Sequence, residues 1–431
     1  MSKEENRKNF SKYVSQNILG MIGFSCYVLA DSYFISIAKG ADGLTALNLV
    51  MPLYSIIFSI GEMIGVGSAI RYAISKIKKD ADADDYFWNA LIWCIMSSMI
   101  FVFAGIFFSA DIMRVLGADE HIVAVGNNYT KIFMCFAPMF MCNYVTNAFV
   151  RNDGAPGIAM SATLFSSLFN IVFDYILMFP MNLGMEGAAL ATALSPIIGM
   201  GICSIHFFSK KSSVRLVVCK PSVRKLVAGS QLGVSAFVGE MSSAVITLAF
   251  NFVILKLTGN VGVAAYGVVA NIAIVTTAVF NGVAQGSQPL ISSCFGRGDK
   301  DGCTQLKRMG YTTAFVLAAV MYSILFIFAG QFVAVFNSEG SEMLRLYATE
   351  GVKLYFIGIF FAGINIVGGG AFSATEDAFK AAVVSVARGF VLILGAVFVM
   401  SALFGMTGVW LAYAVAEGIT TFIMLVMVLR V

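Results

Sequence analysis

The sequence predicts an all-α polytopic membrane protein of twelve transmembrane helices, built as two homologous six-helix bundles. Three observations predict this fold class: the apolar composition, twelve long apolar segments, and an internal repeat that relates the two halves of the chain. Apolar residues make up 59% of the 431 residues and charged residues 12%. Soluble proteins average about 45–50% and about 25% respectively, so the composition excludes a chain of soluble domains.

Twelve apolar segments are each long enough to cross a bilayer once, which takes about 20 predominantly apolar residues in a helix. We number them spans 1 to 12. They cover residues 14–37, 46–73, 87–109, 127–150, 157–180, 186–208, 227–256, 262–294, 309–332, 350–373, 380–403 and 407–429. Pro52, Pro138, Pro196 and Pro289 fall inside spans, where the missing backbone donor bends or breaks a helix.

Basic residues are concentrated at one end of the predicted bundle. The terminal segments and the connections on their side carry 21 Lys or Arg, the other side carries six, and Arg388 lies within span 11. Cytoplasmic loops of membrane proteins carry the excess of Lys and Arg. We therefore expect a multi-pass protein with both termini in the cytoplasm.

The two halves of the chain repeat one another. GMEGAALATA at 184–193 recurs as GMTGVWLAYA at 405–414, with six identities in ten. KGADGLTAL at 39–47 matches LTGNVGVAAYG at 257–267 at a nearly identical spacing along the chain. Because six is an even number, both bundles enter the membrane from the same side. The repeat is therefore parallel, about a pseudo-two-fold axis along the membrane normal.

The repeat sets the predicted domain organisation. Residues 1–13 form a cytoplasmic tail, and residues 14–208 form an N-terminal six-helix lobe. Residues 209–226 form a basic cytoplasmic connector that leads to a C-terminal six-helix lobe at 227–431. We call the two bundles the N lobe and the C lobe.

Ionisable side chains inside the spans are the main candidates for function. A charged group at the centre of a membrane helix costs at least about 2.5–3.5 kcal/mol, so its presence there needs a reason. Arg388 is the only base within the predicted spans. The acids within them are Asp31, Glu62, Asp174, Glu240 and Glu417.

Asp31 and Asp174 are predicted to lie at the same depth. Each is about 17 residues into a span that starts at the basic side, which is roughly 25 Å of helix. Asn170 is one turn before Asp174 on the same helix face, and Thr192 lies in the next span. Two carboxylates, an amide and a hydroxyl in a dry bundle favour a site that holds a proton or ligates Na⁺.

The repeat shows that Asp31 and Asp174 are not among the residues that the two lobes have in common. Asp31 aligns with Phe250 and Asp174 aligns with Gly395, so the C lobe lacks both acids. A carboxylate pair that only one copy of a repeat carries indicates a function of that copy rather than a requirement of the fold.

The remaining charged positions receive separate interpretations. Glu240, near the middle of span 7, is expected to face the cleft between the lobes and to attract a cationic ligand. Arg388 and Glu417 lie at similar depths on adjacent spans, which predicts a structural ion pair. Glu62, near the inner end of span 2, has no evident partner in the sequence.

Several stretches together resemble the multidrug and toxic compound extrusion (MATE) family of secondary transporters, and the resemblance covers essentially the whole chain. They are ADSYFISIAKGADGLTALNLVMPL at 30–53, RNDGAPGIAM with FNIVFDYIL at 151–177, NLGMEGAALATALS at 182–195, and QLGVSAFVGEM with VAAYGVVANI at 231–272. The resemblance implies a V-shaped pair of lobes that alternates between outward- and inward-facing states. It also implies drug/H⁺ or drug/Na⁺ antiport at the bacterial plasma membrane.

The DinF-like bacterial branch of that family is the most similar, because its coupling acids lie in the N lobe. By position, Asp31, Asn170, Asp174 and Thr192 match its cation and proton cluster. Asp31, Asn170 and Asp174 would then be the ligands of a bound Na⁺. The resemblance implies no cofactor beyond the coupling ion, H⁺ or Na⁺.

Glu240 is similar to the seventh-helix acid of another branch, the NorM-like one. That branch also has a tenth-helix Asp, whereas the corresponding region here, IFFAGINIVGGGAF, carries only Asn365. Glu240 and Asn365 are therefore the candidate substrate-binding residues. The implied partners are small organic cations or drugs and the lipid bilayer, with no nucleic acid, and the implied state is a monomer.

Two other functions remain to be weighed against efflux. A flippase for lipid-linked oligosaccharides shares this general architecture, but it needs a cationic cavity for pyrophosphate, and the predicted spans offer only Arg388. An intramembrane aspartyl protease would use Asp31 and Asp174 as its dyad. Its YD and GxGD motifs are absent, since the contexts here are ADSY and FDYI. We therefore predict a transporter rather than an enzyme.

Overall fold

The computed structural model describes residues 3–336 and 341–429, and all regular secondary structure in those ranges is helical. The first half contains α1 (Lys3–Lys78), α2 (Asp85–Val115), α3 (Glu120–Cys135), α4 (Ala137–Asn152), α5 (Pro156–Met178) and α6 (Gly184–Phe207). The second half contains α7 (Val223–Gly296), α8 (Lys300–Ile327), α9 (Ala329–Phe336), α10 (Glu342–Tyr355), α11 (Ile359–Ala374), α12 (Ala378–Val386) and α13 (Leu392–Leu429). A 3₁₀ turn at Phe356–Gly358 joins α10 to α11, and a π-helical turn at Ala387–Val391 joins α12 to α13.

The helices confirm the twelve predicted spans once the longest segments are divided at a glycine. Within the described ranges, nine segments are long and apolar enough to cross a membrane, and the bent pair of α3 and α4 makes a tenth. Val223–Gly296 has 74 residues and Ala378–Val428 has 51, far more than the roughly 20 of one crossing. The backbone leaves the helical region at Gly259 and at Gly405. Dividing the two segments there gives twelve spans.

Four glycines show the repeat in the backbone itself. Gly40 and Gly259, which the repeat aligns, have φ of 59° and 66°. Gly184 and Gly405, the second aligned pair, have φ of 51° and 57°. This left-handed region costs little only for glycine. The same reversal at matching positions in both halves confirms two homologous bundles.

Proline accounts for the bend in span 4. Helix α3 ends at Cys135, α4 begins at Ala137, and the two helices are bent by 46°. Pro138 occupies the first turn of α4, where it has no backbone N–H to continue the helix before it. The bend expected at Pro138 is confirmed, whereas the helix continues through Pro52, Pro196 and Pro289.

Each lobe has its own hydrophobic core. The first core is centred on residues of the N lobe such as Tyr129, Phe133 and Phe149. The second contains Phe280 and Trp410 among many other residues of the C lobe. The start of α1 is an exception, because residues 10 and 14 pack into the C-lobe core although they precede or begin span 1. The first turns of α1 therefore join the two lobes.

The loops on the side of the chain termini define what we call the basic end of the bundle. They comprise residues 79–84, 153–155, 208–222, 297–299 and 375–377. The chain returns to this end after every second crossing. Because each lobe has six spans, both lobes begin and end here.

At the basic end, helices of the two lobes come into close backbone contact at glycine residues. A side chain at Gly67 of span 2 would start 2.1 Å from the carbonyl oxygen of Gly229, and one at Gly233 of span 7 would overlap the backbone of span 2. In the other half, a side chain at Gly286 of span 8 would lie 2.8 Å from the Cα of Val14 in span 1. The repeat that pairs Gly40 with Gly259 also pairs Gly67 with Gly286 and Val14 with Gly233. The two contacts are therefore related by the predicted pseudo-two-fold axis.

The connector at residues 209–226 packs along the N lobe. The carboxylate of Asp153 accepts hydrogen bonds from the Ser213 backbone N–H at 2.9 Å and from the Tyr72 hydroxyl at 3.2 Å, and it pairs with His206 Nε2 at 2.8 Å. At the far end of the connector, the Ser222 backbone N–H donates to Asn89 Oδ1 at 2.6 Å. The connector is thus fixed to the N lobe up to the first turn of α7.

Gly233→Ala should destabilise the protein, because its Cβ would lie 2.0 Å from the carbonyl oxygen of Met63 and the two helices would have to separate. Overpacking of this kind costs about 1–3 kcal/mol. The matched control is Gly239→Ala on the same helix, where nothing lies within 4 Å of the new Cβ. We expect a lower thermal midpoint in detergent for Gly233→Ala than for Gly239→Ala. Equal midpoints would contradict backbone contact between spans 2 and 7.

Candidate functional site

Four predicted residues form one buried cluster in the N lobe, which we call the carboxylate cluster: Asp31, Asn170, Asp174 and Thr192. Asp31 lies on α1, Asn170 and Asp174 lie on α5, and Thr192 lies on α6. Asp31 is 7% exposed, and Asp174 and Asn170 are 0% exposed. The two carboxylates are close enough to interact electrostatically. The structure therefore brings together two acids that are far apart in the sequence.

Asn170 links Asp174 to Thr192 within the carboxylate cluster. Its amide is assigned the orientation that satisfies both ends: the nitrogen donates to Asp174 Oδ2 at 3.0 Å, and the oxygen accepts from Thr192 Oγ1 at 3.2 Å. The Oδ1 atoms of Asp31 and Asp174 are buried, and neither has a hydrogen-bond partner among the described residues. An unpaired buried carboxylate oxygen is costly. The cluster therefore has two acceptor atoms available for a proton or a cation.

The donor set suits a small hard cation as well as a proton. Carboxylate, amide and hydroxyl oxygens are the ligands that hard cations prefer. Among the described residues, no group of three or more His, Cys, Asp or Glu side chains lies together as a metal site. A cation in the carboxylate cluster would thus be held by its two carboxylates with help from Asn170 and Thr192.

Tyrosines surround the carboxylate cluster, and the sequence interpretation did not include them. The hydroxyl groups of Tyr54 and Tyr129 share a hydrogen bond, and both side chains lie within electrostatic range of Asp31. Tyr27 lies within range of Asp31 and also of Glu240. Its position one turn before Asp31, on the same helix face, is the sequence signal that could have identified it. The Tyr54–Tyr129 contact joins different helices and leaves no such signal.

Glu240 lies near residues of the N lobe, and its predicted contact with a cationic ligand stays a prediction. It lies on α7 of the C lobe, half-buried, and is within electrostatic range of Tyr27 and Tyr144 of the N lobe. Its carboxylate has no hydrogen bond or ion pair with any described residue, nor are its oxygens enclosed. Glu240 is therefore an acid without a hydrogen-bonding partner among the described residues.

Glu62 belongs to a polar chain that crosses between the lobes. Gln285 of the C lobe donates from Nε2 to Glu62 Oε1 at 3.2 Å, and Arg151 donates from Nη1 to Gln285 Oε1 at 2.7 Å. Arg151 follows predicted span 4 in the sequence, but it lies within α4 and is only 4% exposed. Arg151 donates to a residue of the opposite lobe, a contact that span hydropathy could not identify.

Arg388 and Glu417 are joined in the C lobe. Arg388 Nη2 donates to Glu417 Oε1 at 2.6 Å, and Nε donates to both carboxylate oxygens at 3.1 and 3.2 Å. Asn365, 1% exposed, donates to Glu417 Oε2 at 2.7 Å and accepts from Thr421 Oγ1 at 3.0 Å. Both ends of the Asn365 amide are thus engaged within the lobe, and its contact with substrate stays a prediction.

Aromatic side chains occupy the part of the C lobe that corresponds to the carboxylate cluster. Phe250, at the position of Asp31, stacks on Tyr266 with ring centroids 5.0 Å apart. Tyr413, at the position of Thr192, stacks on Tyr355 at 4.4 Å. In the C lobe, packed aromatic rings therefore occupy the volume that corresponds to the carboxylate cluster of the N lobe.

Comparison with known proteins gives consistent results. The family model MatE matches residues 17–176 and 236–399 of the chain. The Multidrug export protein MepA of Staphylococcus aureus (strain MRSA252) is 27% identical over 414 residues, which cover 93% of this chain and 89% of that protein. MepA of Staphylococcus saprophyticus is 26% identical over 405 residues with the same coverage.

Solved structures share the fold over nearly the whole chain. An outward-facing multidrug resistance MATE family transporter of the MOP superfamily gives a TM-score of 0.92 at 20% identity, covering 99% of this chain and 96% of that chain. A MOP superfamily transporter from Pyrococcus furiosus, described by a reverse polarity of its binding pocket, gives 0.90 at 20% identity, covering 98% and 95%. At this level of identity, the likeness shows the fold.

Glu417→Gln should strongly destabilise the protein, because it leaves the Arg388 guanidinium buried without its counter-charge. Breaking a buried ion pair from one side costs about 3–5 kcal/mol. The double variant Arg388→Gln/Glu417→Gln removes both charges and should recover part of the loss. We expect the thermal midpoint in detergent to fall in the single variant and to rise again in the double. A single variant as stable as the wild type would show that the pair has no structural role.

Proposed function

The chain belongs to the MatE family, and from this premise we propose that it is a secondary active multidrug efflux antiporter. It exports amphipathic organic cations in exchange for H⁺ or Na⁺. The buried carboxylates in the N lobe carry this proposal, because they provide an ion site within a transporter fold. The names of the MepA relatives, multidrug export proteins, support the class of substrate. The DinF-like branch stays a prediction.

The carboxylate cluster is the proposed ion-coupling switch. Two like charges in a dry interior repel strongly, so Asp31 and Asp174 are stable together only when a proton or Na⁺ neutralises part of their charge. Binding of that ion removes the repulsion and lets α1 and α5 approach. Release of the ion restores the repulsion. The shape of the N lobe thereby depends on whether an ion is bound.

Alternating access is supported by the distribution of contacts between the lobes. Glycine contacts join them at the basic end, and Arg71 of the N lobe donates to Glu376 of the C lobe in the same region. Lys78 pairs with the same Glu376 at 3.6 Å. Glu240 lies in the space between the lobes without a partner among the described residues. We assign this arrangement to a state that is closed at the basic end and open towards the other.

The membrane potential can supply the energy. One positive charge that moves inward down 100 mV provides about 2.3 kcal/mol, which corresponds to almost a fiftyfold accumulation ratio.

The excess of Lys and Arg at the basic end supports a cytoplasmic location for both termini. The chain would then be a multi-pass protein of the bacterial plasma membrane, with the carboxylate cluster reached from outside.

A lipid-linked oligosaccharide flippase is less well supported. Such a protein needs cationic groups free to bind pyrophosphate, whereas Arg388 makes three hydrogen bonds to the carboxylate of Glu417. The open group between the lobes is the acidic Glu240. The acids Glu62 and Glu240 outnumber Arg151 at the lobe boundary, and the Arg151 guanidinium donates to Gln285. This balance of charge favours cationic substrates.

Asp174→Asn should abolish gradient-driven efflux, because a neutral amide cannot exchange the coupling ion. The assay uses protein reconstituted in liposomes and a fluorescent organic cation, and we expect the rate to fall to that of empty liposomes. Asp111→Asn is the matched control, since Asp111 is 63% exposed in an ion pair with Arg114. Efflux at the wild-type rate in Asp174→Asn, with the variant folded, would overturn the proposal.

The coupling ion can be identified in the same liposomes. A pH gradient and a Na⁺ gradient are imposed separately, each with the other ion equal on both sides. A proton-coupled protein exports the cation only under the pH gradient, and a Na⁺-coupled one only under the Na⁺ gradient. No transport under either gradient would contradict antiport.

A further inference from the structure

The connector and the first turns of α7 expose a group of apolar side chains at the basic end of the bundle. We call this group the apolar patch. Its members lie within residues 216–227, and they are Leu216 (51% exposed), Val217 (42%), Val218 (76%), Val223 (61%) and Val227 (48%). Apolar side chains that are exposed together, rather than singly, indicate a surface that another molecule covers.

Basic side chains border the apolar patch. Arg215, Lys220 and Arg224 are exposed, and none of them forms a salt bridge with a described residue, since the ion pairs of this stretch use Lys225 instead. No Asp or Glu occurs in residues 187–239. The three bases are therefore available to an anion that lies against the patch.

Helix α2 shows where the connector lies relative to the bilayer. Met96 and Ile100 of α2 are 50% and 70% exposed, which marks the lipid-facing side of this helix. Asn89 precedes Met96 by seven residues, almost two turns, and so lies on the same face nearer the basic end. Its amide nitrogen donates to Cys219 Sγ at 3.0 Å, and its oxygen accepts from the Ser222 backbone N–H at 2.6 Å. The connector therefore crosses the lipid-facing side of α2 at the edge of the bilayer.

The connector is held on its inner side, so the patch has a fixed orientation. Val214 is 5% exposed and packs in the N-lobe core. The preceding residue, Ser213, donates from its backbone N–H to the Asp153 carboxylate at 2.9 Å. Residues 216–218 thus lie between two attached points, at Ser213–Val214 and at Cys219, and they present their apolar side chains outward.

We propose that the apolar patch and its three bases form a binding site for anionic phospholipid. The apolar side chains enter the boundary between the headgroups and the acyl chains, and Arg215, Lys220 and Arg224 bind the lipid phosphates. Segments that combine apolar and basic side chains bind anionic membranes in this way. Each base near the membrane surface contributes about fivefold to the affinity. A zwitterionic headgroup, which carries its own cation, gains less from the three bases.

The site lies where the connector continues into α7. Val223 and Val227 belong to the first turns of α7, and Gly229 and Gly233 of the same helix make the close backbone contacts with span 2. Lipid bound at the patch holds these turns at the membrane surface beside the N lobe. Anionic lipid should therefore stabilise the arrangement in which the basic end is closed.

The first experiment measures the depth of the apolar patch in a membrane. A fluorescent amino acid replaces Val218 in the full-length chain, which is reconstituted in vesicles of phosphatidylcholine and phosphatidylglycerol. We expect quenching by phosphatidylcholine brominated on its acyl chains, and little quenching by iodide present on both sides of the membrane. The same label at Lys8, which is exposed and lies about 9 Å along the helix before span 1, should show the reverse. If iodide quenches both labels equally, the patch lies in water, as a site for a soluble protein would, and the inference is overturned.

The second experiment measures the contribution of the three bases. Added phosphatidylglycerol should raise the thermal midpoint in detergent more than phosphatidylcholine does, because a ligand of the folded state stabilises it. Arg215→Gln/Lys220→Gln/Arg224→Gln should lose most of that difference.

The matched control for the second experiment is Arg7→Gln/Lys8→Gln/Lys12→Gln. It removes three exposed bases from the same end of the bundle and should keep the difference between the lipids. Equal losses in the two triple variants would show a general effect of net charge and overturn the local site. An equal rise of the midpoint with water-soluble glycerol phosphate would overturn a site for membrane lipid. Neither experiment involves a transported cation, so failure here leaves the efflux proposal standing.

Discussion

The close contact of backbones at the basic end is the constraint on which the rest of the structure depends. Within a bilayer, helices gain little from burying apolar surface and associate through close packing. Gly67, Gly229 and Gly233 remove side chains where spans 2 and 7 meet, and Gly286 does the same where spans 8 and 1 meet. Because both contacts obey one pseudo-two-fold axis, they hold the lobes in a single register. Glu62, Arg151 and Gln285 can then form a polar chain between the lobes.

The features predicted from sequence are those that one stretch of chain determines by itself. Span lengths follow from the thickness of the bilayer, and the repeat follows from matched residues such as Gly40 and Gly259. The predicted proximity of Asp31 and Asp174 needed only a depth along two helices. Span counting found twelve crossings, although several continue through a glycine without a loop.

The features that the sequence did not reveal depend on two distant parts of the chain. Arg151 follows an apolar span and begins the polar stretch RNDGAPG, so its burial and its contact with Gln285 of the C lobe have no local signature. Gln285 is an uncharged residue in a small-residue segment, and its importance comes from Glu62 and Arg151, which lie 223 and 134 positions away. The Tyr54–Tyr129 hydrogen bond likewise joins positions 75 apart. Such residues acquire their roles only when helices that are distant in the sequence pack together.

At the end of the bundle opposite the basic end, three of the turns between spans consist of a single glycine, and this has a practical consequence. At Gly40, Gly259 and Gly405, helix continues on both sides of a single glycine. A protease binds several residues of accessible extended chain, and these three turns contain no such extended segment. Among the residues that the structure describes, the longer turns at 116–119 and 179–183 offer such a stretch at that end. The same two turns are the natural positions for epitope insertions intended to report which face of the protein is exposed on intact cells.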